Sequence, residues 1–222
     1  MLRPRYDGVL FDLDGTLLDT APDFVDALNR LLGLKEMSPL PPELIRNHVS
    51  HGSRALVALA FGDGRDDYEA LRQEFLAIYA EHLSRKTRLF DGFEPLLAQI
   101  AHNRLPWGIV TNKPELYTRM ILEDLRLSPA PGTVVCPDHV QHTKPDPEPM
   151  FLATTQLGVA PHRCVYVGDH RRDIEAGRAA GMTTIAAAYG YIDDDDPASS
   201  WAADHLVEHP SDLTPLLFDR HA

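Results

Sequence analysis

Two carboxylates stand two residues apart near the start of the chain, Asp12 and Asp14, directly after the apolar run Val9-Leu10-Phe11. Alternate residues of an extended chain point to the same side, so both carboxylates can face one small volume. Their repulsion calls for a positive partner, and Mg²⁺ is a hard cation that prefers carboxylate oxygens. Gly15 lets the backbone turn sharply, and Thr16 adds a hydroxyl and an amide nearby. Asp-Gly is equally typical of a solvated turn, so this segment alone leaves both interpretations open.

Two later segments that follow predicted strands carry uncharged or basic groups. In the first, the hydroxyl of Thr111 and the amide of Asn112 precede a predicted helix, where they either hold phosphate oxygens or cap that helix. In the second, Pro145 and Pro147 restrict the backbone next to Lys144. The Lys144 ammonium group then either offsets phosphate and carboxylate charge or faces solvent in a turn.

A further strand end carries the acids Asp169 and Asp173, four residues apart. Asp169 supplies either another metal ligand or a helix cap, and Asp173 either supports the metal site or is a first-turn acid favoured by the helix dipole. All these polar segments follow predicted parallel strands. Because the carboxyl ends of such strands meet at one edge of the sheet, the sequence predicts that the segments converge there.

The elements that position these residues are predicted from apolar spacing. Helical patterns over residues 23–34, 43–48, 53–61 and 66–84 occur without a strand between Thr20 and Arg88. Strands and helices then alternate, which is typical of a parallel sheet. The predicted strands cover 9–11, 107–111, 133–136, 163–167, 183–187 and 205–207. The predicted later helices cover 91–103 with Asp91 as its cap, 114–125, 147–157, 173–180 and a stretch from 211. We expect an α/β fold, a Rossmann-like parallel sheet core (1–19 and 88–222) with an inserted helical cap domain (20–87).

The composition is that of a globular chain that can bury a sizeable core, with 222 residues of which 44% are hydrophobic. A net charge of −12 argues against nucleic acid or an anionic membrane as a partner. Without a bilayer-spanning run or a signal-peptide core, we expect a cytoplasmic protein, monomer or homodimer. Cys136 and Cys164 lack disulfide or metal spacing and are expected to be small buried side chains. The acidic run Asp193–Asp196 is expected to be a solvated loop.

Taken in order, these segments resemble the four motifs of the haloacid dehalogenase-like hydrolase superfamily over nearly the whole chain: Asp12-Leu13-Asp14-Gly15-Thr16, Thr111, Lys144 and Gly168-Asp169 with Asp173. Helices directly after the first motif resemble the cap of the subgroup that contains phosphoglycolate phosphatases. Four segments further resemble the N-acetylmuramic acid 6-phosphate phosphatases of cell-wall recycling: 111–114, 136–140, 144–149 and 189–191. His170 departs from the family, which commonly has a small or acidic residue at this position.

The resemblance implies a Mg²⁺-dependent phosphomonoesterase acting on a small phosphorylated metabolite, phosphoglycolate or N-acetylmuramic acid 6-phosphate. It makes Asp12 the nucleophile that forms an aspartyl-phosphate, and Asp14 the acid and base. Mg²⁺ would be held by Asp12, the backbone carbonyl of Asp14, and Asp169, with Asp173 in support. The residues implied in phosphate binding are Thr16, Thr111, Asn112 and Lys144.

Substrate specificity is expected from the cap, since the core handles the phosphoryl group. The polar loop 49–54 would place Ser50, His51 or Arg54 over the leaving group; alternatively its serines cap the next helix and His51 is exposed. Dehalogenation would not need Asp14 as an acid. A sugar-phosphate mutase of the same fold and a non-catalytic phosphometabolite-binding module remain alternatives.

Overall fold

The structure is a computed structural model that describes residues 2–220. Its strands are β1 (Leu2–Pro4), β2 (Gly8–Phe11), β3 (Leu18–Asp19), β4 (Arg88–Leu89), β5 (Trp107–Val110), β6 (Thr133–Val135), β7 (Cys164–Gly168), β8 (Thr183–Ala187), β9 (His205–Val207) and β10 (Phe218–Arg220). Its helices are α1 (Ala21–Leu34), α2 (Pro42–Arg46), α3 (Gly52–Phe61), α4 (Tyr68–His82), α5 (Phe93–His102), α6 (Glu115–Leu125), α7 (Glu148–Leu157), α8 (Arg171–Ala179) and α9 (Leu213–Leu217).

The central sheet is parallel and has six strands in the order β6-β5-β2-β7-β8-β9. Strand β2 lies in the middle and is buried along its whole length, as its continuous apolar run predicts. Phe11 pairs with Ile109 on one side and with Val167 on the other. This register brings the residues that follow β2, β5 and β7 to the same edge of the sheet.

Helices α1 to α4 form the insertion between the short antiparallel strands β3 and β4, which pair with each other. The insertion leaves the core after β3 and returns to it at β4, so β3 and β4 form its base. Helix α1 packs on α4 through apolar side chains, and the ring of Phe24 stacks on that of Tyr79 with centroids 4.1 Å apart. The Rossmann-like α/β core with an inserted helical cap is confirmed.

The predicted helices and central strands are found with ends that differ by at most two residues from the predicted ones. Asp91 as the cap of α5 is wrong: Gly92 occupies the N-cap position with φ of 103°, and no side chain caps the helix. That left-handed conformation favours glycine, and an added Cβ would lie 3.3 Å from the backbone nitrogen of Ser211. The pairing of β1 with β10 was not predicted.

Both cysteines, Cys136 and Cys164, are buried free thiols, as predicted. Within residues 2–220, none of the helices has the length and apolar character that crossing a bilayer requires.

Candidate active site

Lys144 lies at the centre of the site and is fully buried. Its Nζ atom is 3.0 Å from Oδ1 of Asp12 and 2.7 Å from Oδ1 of Asp173. The same ammonium group donates to the carbonyl oxygen of Val110 and to the hydroxyl of Tyr166. The alternative of a solvent-facing lysine is therefore wrong, because the ammonium group is buried and surrounded by four oxygen atoms.

Three carboxylates meet beside that lysine. One oxygen from each of Asp12, Asp169 and Asp173 lies within 4.8 Å of the others, and all three residues are buried. Burial raises the pKa of Asp12, and burial together with the charges of Asp12 and Asp173 raises the pKa of Asp169 to about 8. Even with Arg172 nearby, three acids around one lysine leave more acidic than basic groups in this buried site. Oxygen ligands with such an excess fit a hard divalent cation such as Mg²⁺.

Asp169 is held from three sides. Its Oδ1 accepts a hydrogen bond from the Thr16 hydroxyl at 3.0 Å, and its Oδ2 accepts from the backbone of Tyr191 at 2.9 Å and the hydroxyl of Ser50 at 3.2 Å. Thr16 is fully buried, so its hydroxyl supports this carboxylate, which differs from the expected contact with phosphate. A Cβ atom on Gly15 would come within 2.0 Å of Asp169, so only glycine fits there.

Asp14 points away from the carboxylate cluster. Its Oδ1 accepts from the Thr20 hydroxyl at 2.6 Å and from Nζ of Lys113 at 3.0 Å. Lys113 is itself buried and also donates to the hydroxyl of Tyr79 on cap helix α4 at 2.8 Å. Sequence reasoning assigned no role to Lys113, although its position directly after Asn112 at a polar strand end was a usable signal.

A cavity of about 360 Å³ opens between these residues and the cap. Its polar lining comprises Asp12, Asp14, Thr111, Asn112, Lys113, Tyr117 and Arg172 from the core, and Ser50, His51, Ser53, Arg54, Arg72 and Tyr79 from the cap. Most of the predicted site residues therefore share one space. Tyr79, Arg72 and Arg172 were not predicted, because no local pattern indicates which side of a helix faces a cavity.

The residues after β5 do not cap helix α6. Oγ1 of Thr111 accepts a hydrogen bond from the backbone of Lys113 at 3.1 Å, and the amide of Asn112 donates to the backbone carbonyl of Lys144 at 3.0 Å. The first backbone N–H of α6, at Glu115, donates instead to Asp138. Thr111 and Asn112 thus line the cavity, and the helix-cap interpretation is wrong.

The cap loop contacts the core through Ser50. Besides the bond from its hydroxyl to Asp169, its carbonyl oxygen accepts from Nη2 of Arg172 at 2.6 Å. No side chain caps α3, so the alternative that the loop serines are helix caps is wrong. His51 is exposed and lies 3.4 Å from Asp193 of the acidic run.

His170 is the departure from the family pattern, and it adds no charge to the site at pH 7. Burial and the neighbouring charge of Arg172 lower the pKa of His170 to about 3, so its ring is neutral at pH 7. Its Nδ1 accepts from the backbone of Arg172 at 3.2 Å and caps helix α8. Asp173 completes this cap by accepting from the backbone of His170 at 3.0 Å, so Asp169 is not the cap.

These features define a class: an α/β enzyme whose buried carboxylates and lysines face a cavity under a helical cap. The chain belongs to the haloacid dehalogenase-like hydrolase family, whose model matches residues 9–187.

Known relatives extend over almost the whole chain. It is 47% identical over 219 residues to an N-acetylmuramic acid 6-phosphate phosphatase from Pseudomonas aeruginosa, covering 98% of this chain and 97% of the relative. It is 45% identical over 215 residues to a phosphoglycolate phosphatase from Xanthomonas campestris pv. campestris, covering 96% of each. A crystal structure described as a predicted phosphoglycolate phosphatase from Haemophilus somnus superimposes with a TM-score of 0.84 at 23% identity, covering 96% of this chain and 98% of that one. At this identity the structural likeness supports the fold alone.

Proposed function

We propose that this hydrolase is a Mg²⁺-dependent phosphomonoesterase that acts through a covalent aspartyl-phosphate on Asp12. One observation carries the proposal: Asp12 and Asp14 line the same cavity, and each is held by its own buried lysine, Lys144 and Lys113. Two carboxylates in different surroundings can take different roles at one reaction centre.

In the first step, an oxygen of Asp12 attacks phosphorus, and the bond between phosphorus and the ester oxygen breaks. Asp14 gives its proton to the departing alkoxide, which leaves as an alcohol. In the second step Asp14 takes a proton from water, the water oxygen bonds to phosphorus, and the aspartyl–phosphorus bond breaks. Inorganic phosphate is released and both carboxylates return to their initial states.

Other side chains hold the phosphoryl group during both steps. The hydroxyl of Thr111, the amide of Asn112 and the charge of Lys144 are suited to its oxygens. Mg²⁺ would be held by Asp12, the backbone carbonyl of Asp14 and Asp169, with Asp173 supporting these ligands. When bound, the ion neutralises charge on the phosphoryl oxygens.

The substrate proposal follows from the relatives: N-acetylmuramic acid 6-phosphate or phosphoglycolate. Both are phosphate esters of an alcohol that also bears a carboxylate. We assign substrate specificity to three cap residues, Ser50, His51 and Arg54. The proposed cap domain comprises residues 20–87, and the proposed core comprises residues 1–19 and 88–222. Residues 1, 221 and 222 lie outside the described residues. The two buried free thiols suit a reducing compartment, and we propose the cytoplasm.

The test is phosphate release in Mg²⁺ from both esters, a hexose phosphate and a nucleoside monophosphate. We expect turnover of at least one carboxylate-bearing ester by the wild type and none by Asp12→Asn. Asp194→Asn, an exposed aspartate outside the cavity, is the matched control and should behave as wild type. Turnover by Asp12→Asn at the wild-type rate would exclude Asp12 as the nucleophile, and no release from any ester would exclude the proposed function.

A further inference from the structure

Arg172 is a cavity-lining side chain of the core that the proposed mechanism leaves without a role. It lies at the start of α8, three residues after Asp169, and one face of it lines the cavity beside Asp12. Its Nη2 donates to the backbone carbonyl of Ser50 at 2.6 Å. Its Nε is buried and has no hydrogen-bond partner within residues 2–220. The third guanidinium nitrogen, Nη1, is not buried and forms no hydrogen bond within residues 2–220, so it is the nitrogen that can donate to a ligand in the cavity.

The other charges around the cavity make this arginine unusual. Lys113 pairs with Asp14 at 3.0 Å, and Arg72 pairs with Glu69 at 2.6 Å. Over the described part of the chain, no carboxylate forms an ion pair with Arg172 or with Arg54, the two remaining cations of the lining. The cavity is thus lined by two guanidinium groups that no carboxylate of residues 2–220 holds in an ion pair.

Of these two arginines, Arg172 is the better binding group. Arg54 is exposed, and water weakens the attraction between its charge and an anion. Arg172 is half-buried between the core and Ser50, where the same attraction is stronger. The charge of Arg172 acts on Asp12 without a direct ion pair, so an anionic ligand can bind this side chain without breaking one. A guanidinium group also matches the two oxygens of a carboxylate geometrically.

We infer that Arg172 binds the carboxylate of the alcohol part of the substrate and so selects phosphate esters that carry a second anion. This inference rests on the proposed function and adds a specificity-determining residue from the core to those of the cap. The phosphoryl group stays with Asp12 and its neighbours, while Arg172 holds the leaving group. Because Arg172 also bonds to Ser50, a bound carboxylate would lie where the core and the cap meet.

Two matched substrate pairs test the inference. Phosphoglycolate is compared with 2-hydroxyethyl phosphate, which lacks the carboxylate. N-acetylmuramic acid 6-phosphate is compared with N-acetylglucosamine 6-phosphate, which lacks the lactyl ether that carries the carboxylate. The readout is the ratio of kcat/KM within a pair. Hydrogen bonds to charged groups predict that Arg172→Gln lowers this preference by about 10- to 100-fold. Arg172→Lys keeps the positive charge but lacks the planar guanidinium group, so it should retain part of the preference for the carboxylate. If Arg172→Gln does not fold, Arg172→Lys is measured in its place.

The adjacent Arg171 is the matched control, because it pairs with Asp196 outside the cavity. Arg171→Gln should keep the wild-type preference. If Arg172→Gln lowered kcat/KM equally for both esters of a pair, Arg172 would only balance charge. If Arg54→Gln alone lost the preference, the carboxylate would bind to the cap. Either result overturns the inference. Wild type that hydrolyses the esters without preferring the carboxylate overturns the inference alone, whereas no hydrolysis refutes the proposed function.

Discussion

Asp169 should make the metal-free protein less stable as the pH rises. Its pKa is raised from an ordinary 3.8 to about 8, chiefly by burial, so the folded state keeps a proton that the unfolded chain releases. Between those values the folded state binds more protons, and its free energy of unfolding therefore falls with increasing pH. One proton corresponds to a slope of at most about 1.4 kcal/mol per pH unit. A bound divalent cation would favour the ionised carboxylate and cancel this slope.

The assay is urea unfolding at several pH values between 5 and 8, followed by fluorescence of the buried Trp107 and Trp201. Each series is run with a chelator and with saturating Mg²⁺, because groups remote from the site contribute equally to both. At a Mg²⁺ concentration 100 times its Kd, binding adds about 2.7 kcal/mol to the stability. The difference between the two series should grow as the pH rises.

Asp169→Asn gives the internal check. Without its ionisable carboxyl, the variant should show a flatter pH dependence in chelator, exceed the wild type in stability near pH 8, and respond less to Mg²⁺. If the wild-type slope were the same in chelator and in Mg²⁺, or the same in Asp169→Asn, the account of charge excess at this site would be refuted.

Three further substitutions test side chains that hold the groups of the site in place. Lys113→Met frees the Asp14 carboxylate and should lower kcat by about 10²- to 10⁴-fold with less effect on KM, as steady-state kinetics would measure; an unchanged kcat would contradict this role. Lys144→Met leaves buried acids without their cation and should cost about 3–5 kcal/mol in chelator at pH 8; urea unfolding measures this, and a loss below 1 kcal/mol would argue against it. Tyr191→Phe removes the hydroxyl that accepts hydrogen bonds from the backbone of Thr20 at 2.6 Å and of Ala21 at 2.8 Å. It should cost about 1–3 kcal/mol in thermal unfolding, and an unchanged melting temperature would show that water replaces the hydroxyl.

Local pattern was sufficient for the helices and for the strands of the central sheet. The apolar run before Asp12 predicts a central buried strand, and the alternation after Phe90 predicts parallel pairing, because both follow from periodicity and chain connection. The pairing of β1 with β10 was missed because strands of three residues carry little periodic signal and these two lie at opposite ends of the chain. Gly92 was missed as a cap because its role depends on a left-handed backbone conformation, not on a side chain that sequence patterns favour.

The same division holds within the site. Residue type and position after a strand were enough to predict that Asp12, Asp169 and Lys144 converge, since parallel strands deliver their ends to one edge. Which polar atoms meet there depends on contacts between segments far apart in the chain, such as Ser50 with Asp169 and Lys113 with Asp14. A hydroxyl or ammonium group has several possible partners of equal chemistry, and only the packing of the cap on the core selects among them. The amino-acid pattern therefore decides the fold and the reactive edge, while the tertiary structure decides how each charge on that edge is balanced.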